Sequence, residues 1–383
     1  MSNSNIFWIY THNFTNTGAP LVLADIVREL AEKGMRKQLR LISWGGKHDQ
    51  RHSKLHMELS QEGFSCEILE PGQLPPKPKE NDRILLNSLA VPEDVVNLAQ
   101  TWLEQGKISR LDWYAHEADP EIWMPRSDQQ KRLKLLLENE NMHLRVPSLL
   151  ILNRYQNWLG YFGNRLRCQT PKLCLGKMSQ ALLNSSVPSF DKLHFQLTAM
   201  AGAGQKGHLW LLRVLEHVLG QSDAHQKHLR PIELSFVGLE KGPYAAFTRD
   251  VVRRGQALLG ESFHWTYHGS KPDALAAMVK ANLSVSCSLQ ETFSLVSVES
   301  MALGQLLLRS QTGGWSEQLD PGMNGFDLGL PGPHVRQEHV DLFHRLRDPE
   351  IFSNEHLMKM SHAARVKSQM FRAVAYSDRL LGE

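Results

Sequence analysis

The sequence predicts an α/β protein built as two doubly wound domains facing each other across a cleft. Short apolar runs alternate with amphipathic helical stretches along almost the whole chain, the order that gives a parallel sheet with helices on both faces. The length, 383 residues, exceeds what one hydrophobic core organises. A polar connector, "LLNSSVPSFDKL" at residues 182–193, separates two such alternating series.

The first series opens on "NIFWIY", a β-type run, followed by the polar loop "THNFTNTGAP" and the helical stretch "LVLADIVRELAEKG". In that stretch Leu23, Ile26, Val27 and Leu30 recur at helical spacing, and Gly34 stands where a C-terminal cap belongs. "LRLIS" and "RILLNS" read as strands, "EDVVNLAQTWLEQG" as a helix ending in glycine, and "RLDWYAHE" as a further strand. The second series runs "HFQLTAMAG", "KGHLWLLRVLEHVLG", "IELSFVG", "GPYAAFTRDVVRRGQALLG", "FHWTYHG", "DALAAMVKA" and "LSVSCS", strand and helix in turn. Ligands of such folds bind beyond the carboxyl ends of the strands, so the loops "THNFTNTGAP", "NSLAVPED" and "HEADPE" matter most in the first half.

Composition bounds the function classes. With 42% hydrophobic and 22% charged residues the chain is an ordinary globular protein, and a net charge of +3 lacks the concentrated basic footprint of a nucleic-acid binder. The cluster Arg28, Lys33, Arg36, Lys37 and Arg40 could touch an anionic surface, a weak peripheral membrane contact, or form a solvated helix face. Cys66, Cys168, Cys174 and Cys287 show no Cys-x-x-Cys spacing, so neither a disulfide framework nor a zinc site is indicated. No segment approaches the ~20 apolar residues that span a bilayer, and the start has no leader pattern, which fits a soluble cytoplasmic protein.

The densest chemistry lies in "SLQETFSLVSVESMALGQ", residues 288–305, where Glu291 and Glu299 stand eight positions apart. A strand ends near Ser288, a loop carries Glu291, and a helix is expected from about Phe293 to Gly304. The free N–H groups of Ser294, Leu295 and Val296 at its start suit a phosphate or diphosphate. Glu299, one to two turns further in, could accept hydrogen bonds from vicinal hydroxyls such as those of a ribose. On spacing alone two glutamates also fit a solvated helix face, but their neighbours here are mostly apolar or small, so the carboxylates need partners.

This segment resembles the Glu-x7-Glu motif of the family 4 glycosyltransferases, which have the GT-B fold of two Rossmann-like domains. The likeness runs through Ser288, Glu291, Phe293, Glu299, Met301, Ala302, Gly304, Gly313, Gly314, Glu317, Asn324 and Gly325. It implies that Glu299 binds the ribose of a nucleotide sugar, that Glu291 contacts hydroxyls of the donor sugar, and that the amides after Phe293 hold the diphosphate. "TAMAGAGQKGHLWLLRVLEHV" resembles the family's Lys-Gly segment, so Lys206 would face the diphosphate and stabilise the departing charge. "HNFTNTGAPLVLADIVREL" resembles the loop before the first helix, with Gly18 and Ala19 near the donor phosphate, and "LDWYAHEADPE" would turn His116 to the donor sugar. Asn87 and His12, at other strand ends, are further candidates. Departures stand beside these matches: Thr17 and Ser294 replace glycines, Ser300 an alanine, Leu306 a proline, and Ala201 the arginine that pairs with Lys206 in the family.

The resemblance implies an N-terminal acceptor domain at 1–185, a nucleotide-sugar domain at 186–360, and a C-terminal helix at 361–383 crossing back to the first. The expected function is a retaining, metal-independent hexosyltransferase that moves a sugar from a UDP- or GDP-linked donor to a glycan or glycolipid acceptor. No cofactor beyond that donor and no nucleic-acid partner is expected. A non-catalytic nucleotide-sugar-binding protein of the same fold is the alternative, which Ala201 favours; an epimerase or phosphorylase is a third.

Overall fold

The structure, a computed structural model, describes residues 5–14, 18–44, 53–172, 184–199, 204–220, 228–239, 244–267 and 271–372. They form two compact units, the first ending at Lys172 and the second described from Asn184 to Arg372.

The first unit contains β1 (Phe7–Thr11), α1 (Gly18–Glu32), β2 (Leu39–Trp44), α2 (Lys54–Gln61), β3 (Ser65–Leu69), β4 (Asp82–Asn87) and α3 (Glu93–Glu104). β5 (Ile108–Tyr114), α4 (Pro120–Trp123), α5 (Ser127–Glu138), β6 (Met142–Val146), α6 (Leu149–Leu159) and β7 (Leu166–Cys168) follow. All seven strands are parallel, in the order β3-β2-β1-β4-β5-β6-β7. Leu23, Ile26, Val27 and Leu30 are all buried, so α1 presents the face its spacing predicts. Gly34 and Gly106 take φ +86° and +66° just beyond α1 and α3, the left-handed conformation that lets a helix end sharply. α1 starts at Gly18, which places Gly18 and Ala19 in its first turn rather than in the expected loop; Pro20 is compatible because the first turn requires no intrahelical donor.

The second unit contains β8 (Leu193–Thr198), α7 (His208–Gly220), β9 (Ile232–Leu239), α8 (Ala245–Leu259), β10 (Phe263–Tyr267), α9 (Lys271–Met278) and β11 (Leu283–Ser286). It continues through α10 (Leu295–Ala302), β12 (Leu306–Arg309), α11 (Trp315–Gln318), β13 (Gly325–Asp327), α12 (Gln337–Arg347) and α13 (Asn354–Arg372). Its six strands are parallel, in the order β10-β9-β8-β11-β12-β13. Each unit has its own apolar core, one around Ile84, Leu111 and Leu144, the other around Phe195, Leu234 and Phe343.

Two expected boundaries shift. Arg365 of α13 donates to the Ser185 carbonyl, which ties that residue to the second unit and moves the division upstream of 185. The closing helix begins at Asn354 rather than 361, and as far as Arg372 it packs on α10: Ser361 Oγ donates to the Gly304 carbonyl at 2.6 Å, and the rings of Phe371 and Phe293 lie 5.7 Å apart. The crossing expected of 361–383 falls on residues 373–383, outside the described residues.

Both sheets share one topology. The chain starts in the middle, winds outward one way, then returns to wind the other way, so each sheet has a switch point where the loops after adjacent strands diverge. In the first unit the switch lies between β1 and β4, in the second between β8 and β11.

Candidate functional site

At the second switch point two loops are pressed together. Gly207, at φ +80°, ends the loop after β8; a Cβ there would stand 2.4 Å from Cys287 Sγ and 2.6 Å from the Cys287 carbonyl, so only glycine lets the loops meet. The Leu289 amide donates to the Gln205 carbonyl at 2.8 Å and fixes their register. This contact carries Lys206 onto Glu291: Nζ lies 3.0 Å from Oε2, with both side chains partly exposed. The Thr292 amide donates to Glu291 Oε1 at 3.0 Å. Burial pushes the Glu291 carboxyl up, but the Lys206 charge and hydrogen bond, the Arg309 charge and the Thr292 amide outweigh it and hold the group below the usual carboxylate range.

The Glu291 loop is backed by two glycines. A Cβ on Gly313 would stand 2.3 Å from the Thr292 carbonyl, and Gly314, at φ +75°, would meet the Phe293 carbonyl at 2.5 Å. The Gly313 amide donates to the Glu291 carbonyl at 3.1 Å. α10 then starts at Leu295 rather than Phe293. Ser294 is its N-cap, in the left-handed region at φ +67°, and its Oγ accepts from the Ser297 amide at 3.4 Å. A glycine would be free of strain at this φ, so the serine keeps the turn at a cost that its cap partly offsets. As the first residues of the helix, Leu295 and Val296 have amides without intrahelical acceptors. Glu299 follows one turn on and is 8% exposed. The Phe293 ring is in the core against Phe371, so what this residue offers the loop is its carbonyl.

Two other departures have local explanations. Ser300 Oγ, fully buried, donates to Ser284 Oγ of β11 at 2.9 Å, so the extra hydroxyl is satisfied. Leu306 donates its amide to the Asn282 carbonyl at 3.0 Å, a bond that proline cannot make. Ala201 lies outside the described residues.

At the first switch point the groups that meet Asn87 are polar and neutral. Asn87, fully buried at the end of β4, donates Nδ2 to the Ala19 carbonyl at 3.1 Å and to Thr11 Oγ1 at 3.4 Å. Its Oδ1 must therefore accept, and it meets His116 Nε2 at 2.9 Å. Nε2 thus carries the proton and Nδ1 offers a lone pair. Burial, with a smaller effect of His12, lowers the His116 pKa to about 3, so the ring is a neutral acceptor at physiological pH. Burial also lowers the His12 pKa, opposed by a hydrogen bond that the ring donates to the Asn87 backbone. Gly18 lies nearby in sequence with open space around it: a Cβ there would meet no protein atom within 4 Å.

Several residues of these sites escape a reading of the sequence. Ser88 takes φ +121°, and Glu117 holds it there by accepting from its Oγ and from the Leu89 amide at 2.9 Å; this fixes the turn that aims Asn87. Arg309 is fully buried at the end of β12, and its only sequence signal is a charge inside the apolar run "LLLRSQ". The basic cluster near α1 is largely committed within the protein. Arg28 makes a two-pronged contact with Glu62 at 2.9 and 2.7 Å, while Arg36 donates to the Glu62 carbonyl and lies over the Phe64 ring. Among the described residues no helix is long and apolar enough to cross a membrane.

Two doubly wound units with switch points of this kind form the GT-B architecture, and solved structures of that architecture match the chain over nearly its whole length. HepE of Anabaena, in complex with UDP and glucose, is 14% identical with a TM-score of 0.70, over 98% of each chain. A glycosyltransferase of Rickettsia africae is 15% identical with a TM-score of 0.68, over 99% of this chain and all of the other. WaaG, a glycosyltransferase involved in lipopolysaccharide biosynthesis, is 13% identical with a TM-score of 0.63, over 99% of this chain and 100% of the other. The family model described as "Glycosyl transferases group 1" matches residues 196–336, a span that holds Lys206, Glu291, Glu299 and Arg309. No curated protein sequence matches the chain.

Proposed function

We propose that the protein is a retaining glycosyltransferase that moves a sugar from a nucleoside-diphosphate donor to a hydroxyl of a glycan or glycolipid acceptor. The observation that carries this reading is the juxtaposition of the Lys206–Glu291 ion pair with the unsatisfied start of α10 at one strand end. Open amides and the positive end of the helix dipole suit a diphosphate, and Glu299, deeper in the same helix, suits a pair of ribose hydroxyls. The match to a glycosyltransferase family model over this span and the UDP bound by HepE support the same assignment.

The chemistry follows from what each group can do. As the bond to the anomeric carbon breaks, charge grows on the leaving diphosphate, and an ammonium together with fixed amides stabilises that charge more than it stabilises the bound ground state. Lys206 meets this need by exchanging Glu291 for phosphate oxygen, which frees Glu291 to accept hydrogen bonds from sugar hydroxyls. In the first unit, the neutral Nδ1 of His116 is also suited to accept from a hydroxyl. The sequence has no Asp-x-Asp motif, so we expect turnover to persist in a chelator.

Incubation with UDP- and GDP-linked sugars, with release of nucleoside diphosphate followed over hours, tests the proposal. Slow hydrolysis of one donor, faster with an oligosaccharide or glycolipid extract and unaffected by EDTA, is the expected result. Binding of a donor with no turnover in any extract would favour a non-catalytic nucleotide-sugar-binding protein, the reading that Ala201 in place of the family's arginine supports.

A further inference from the structure

Arg309 is the least expected group near α10. It heads the largest fully buried side chains among the described residues, and a buried guanidinium is costly unless an opposite charge or full hydrogen bonding compensates it. Among the described residues no carboxylate lies within ion-pair distance of it. Instead Nη1 donates to Ser297 Oγ at 2.7 Å, Nη2 donates to the Phe293 carbonyl at 3.2 Å and to the Gly313 carbonyl, and Nε is buried without a partner.

All three acceptors belong to the frame of the α10 start. Phe293 precedes the N-cap, Ser297 lies in the first turn and hydrogen-bonds the capping Ser294 Oγ at 2.9 Å, and Gly313 backs the Glu291 loop. These acceptors are neutral, so none of them cancels the positive charge beneath the turn whose first amides lack acceptors; Glu291 and Glu317 act on it only from beyond ion-pair distance. Lys206 does not supply that charge by itself, because its ammonium is paired with Glu291 and the pair is neutral as a whole.

We propose that Arg309 is a positioning residue for the diphosphate: its guanidinium locks the Phe293–Ser297 turn and places a fixed positive charge behind the Leu295 and Val296 amides. The inference rests on the assignment of this turn to a diphosphate. It makes the turn discriminate by charge, favouring a nucleoside diphosphate over the same nucleoside. Burial lowers the Arg309 pKa to about 10, with Glu291 and Glu317 opposing the change, so the group is cationic at neutral pH.

Titration of the protein and its R309Q and R309K variants with UDP, GDP, uridine and guanosine separates the charge from the brace. Expected is a loss of at least about tenfold in diphosphate affinity for R309Q, with nucleoside affinity changed less than about twofold, and R309K within about threefold of the parent protein. Unchanged diphosphate affinity in R309Q overturns the inference, as does an equal loss for diphosphate and nucleoside. Failure of both variants to fold would make Arg309 a structural brace and overturn it too. If the parent protein binds neither diphosphate, the diphosphate assignment itself falls, and this inference with it.

Discussion

At the first switch point the polar groups that meet, Asn87, His116 and the Ala19 carbonyl, are all neutral, whereas the second brings together Lys206, Glu291 and the buried Arg309. The two sheets have the same strand order about these points, so topology does not account for the difference. It lies in loop residues: a buried amide that sets a histidine tautomer in one unit, and a glycine, Gly207, that lets a lysine and a glutamate come together in the other. The fold fixes where a ligand can sit, and the side chains decide whether the place suits hydroxyls or phosphate.

The largest expected effect breaks the charged side of this comparison. Lys206→Ala should lower kcat by about 10² to 10³, as removal of a group that stabilises leaving-group charge does, while His116→Ala should cost about tenfold less. Steady-state kinetics with whichever donor the protein turns over would decide this, and equal losses would erase the proposed division of roles. Next, Glu299→Ala should weaken nucleoside-diphosphate binding about 100-fold through lost charge-assisted hydrogen bonds, whereas Glu291→Ala should mainly lower turnover; calorimetry beside kinetics separates the two.

Glycines sharpen the comparison further. Gly207→Ala forces a left-handed backbone and a 2.4 Å contact on Cys287, and should destabilise the protein by about 2 kcal/mol or more. Gly18→Ala meets no protein atom and should leave the melting temperature unchanged, so any loss of donor binding there reports on the ligand alone. Thermal melts of the two variants side by side would show the contrast.

A smaller effect concerns pH. His116 and His208 both have pKa values lowered to about 3, in each case first by burial and then by a neighbouring basic side chain, His12 for one and Lys206 for the other. The unfolded chain takes up these protons near 6.5 while the native state refuses them until about 3, so stability is full above 6.5 and falls as pH drops through that window. Each group should contribute at most about 1.4 kcal/mol per pH unit, read from urea midpoints at pH 7, 6 and 5, and His208→Phe should flatten the slope. Smallest of all, Ser294→Gly relieves a strained φ but removes a cap, and should shift stability by less than about 1 kcal/mol.

The long periodic elements of both units were legible because their burial follows their spacing, as in α1 and α3. β3, β6 and β7 were not. β3 is an edge strand with alternate residues exposed, β6 buries Arg145 against Asp112 at 3.0 Å, and β7 has three residues, so none of them shows a clear apolar run. At the site, Glu291 and Glu299 stand out because their motif is long and contiguous, and Lys206 through a separate Lys-Gly pair before a helix. Arg309 and the Ser88–Glu117 clamp did not, because they act through contacts between segments far apart in sequence. The capping role and left-handed φ of Ser294 did not stand out either: the family's glycine at this position hints at the φ, but a serine in the sequence does not announce it.

Amide hydrogen exchange with and without saturating UDP or GDP shows whether the start of α10 holds a diphosphate. One of the two should slow exchange at the amides of Leu295 and Val296 and in the loop around Lys206, with the effect lost in Glu299→Ala. Unchanged exchange at the start of α10 with both nucleotides, or protection confined to another part of the chain, would contradict it.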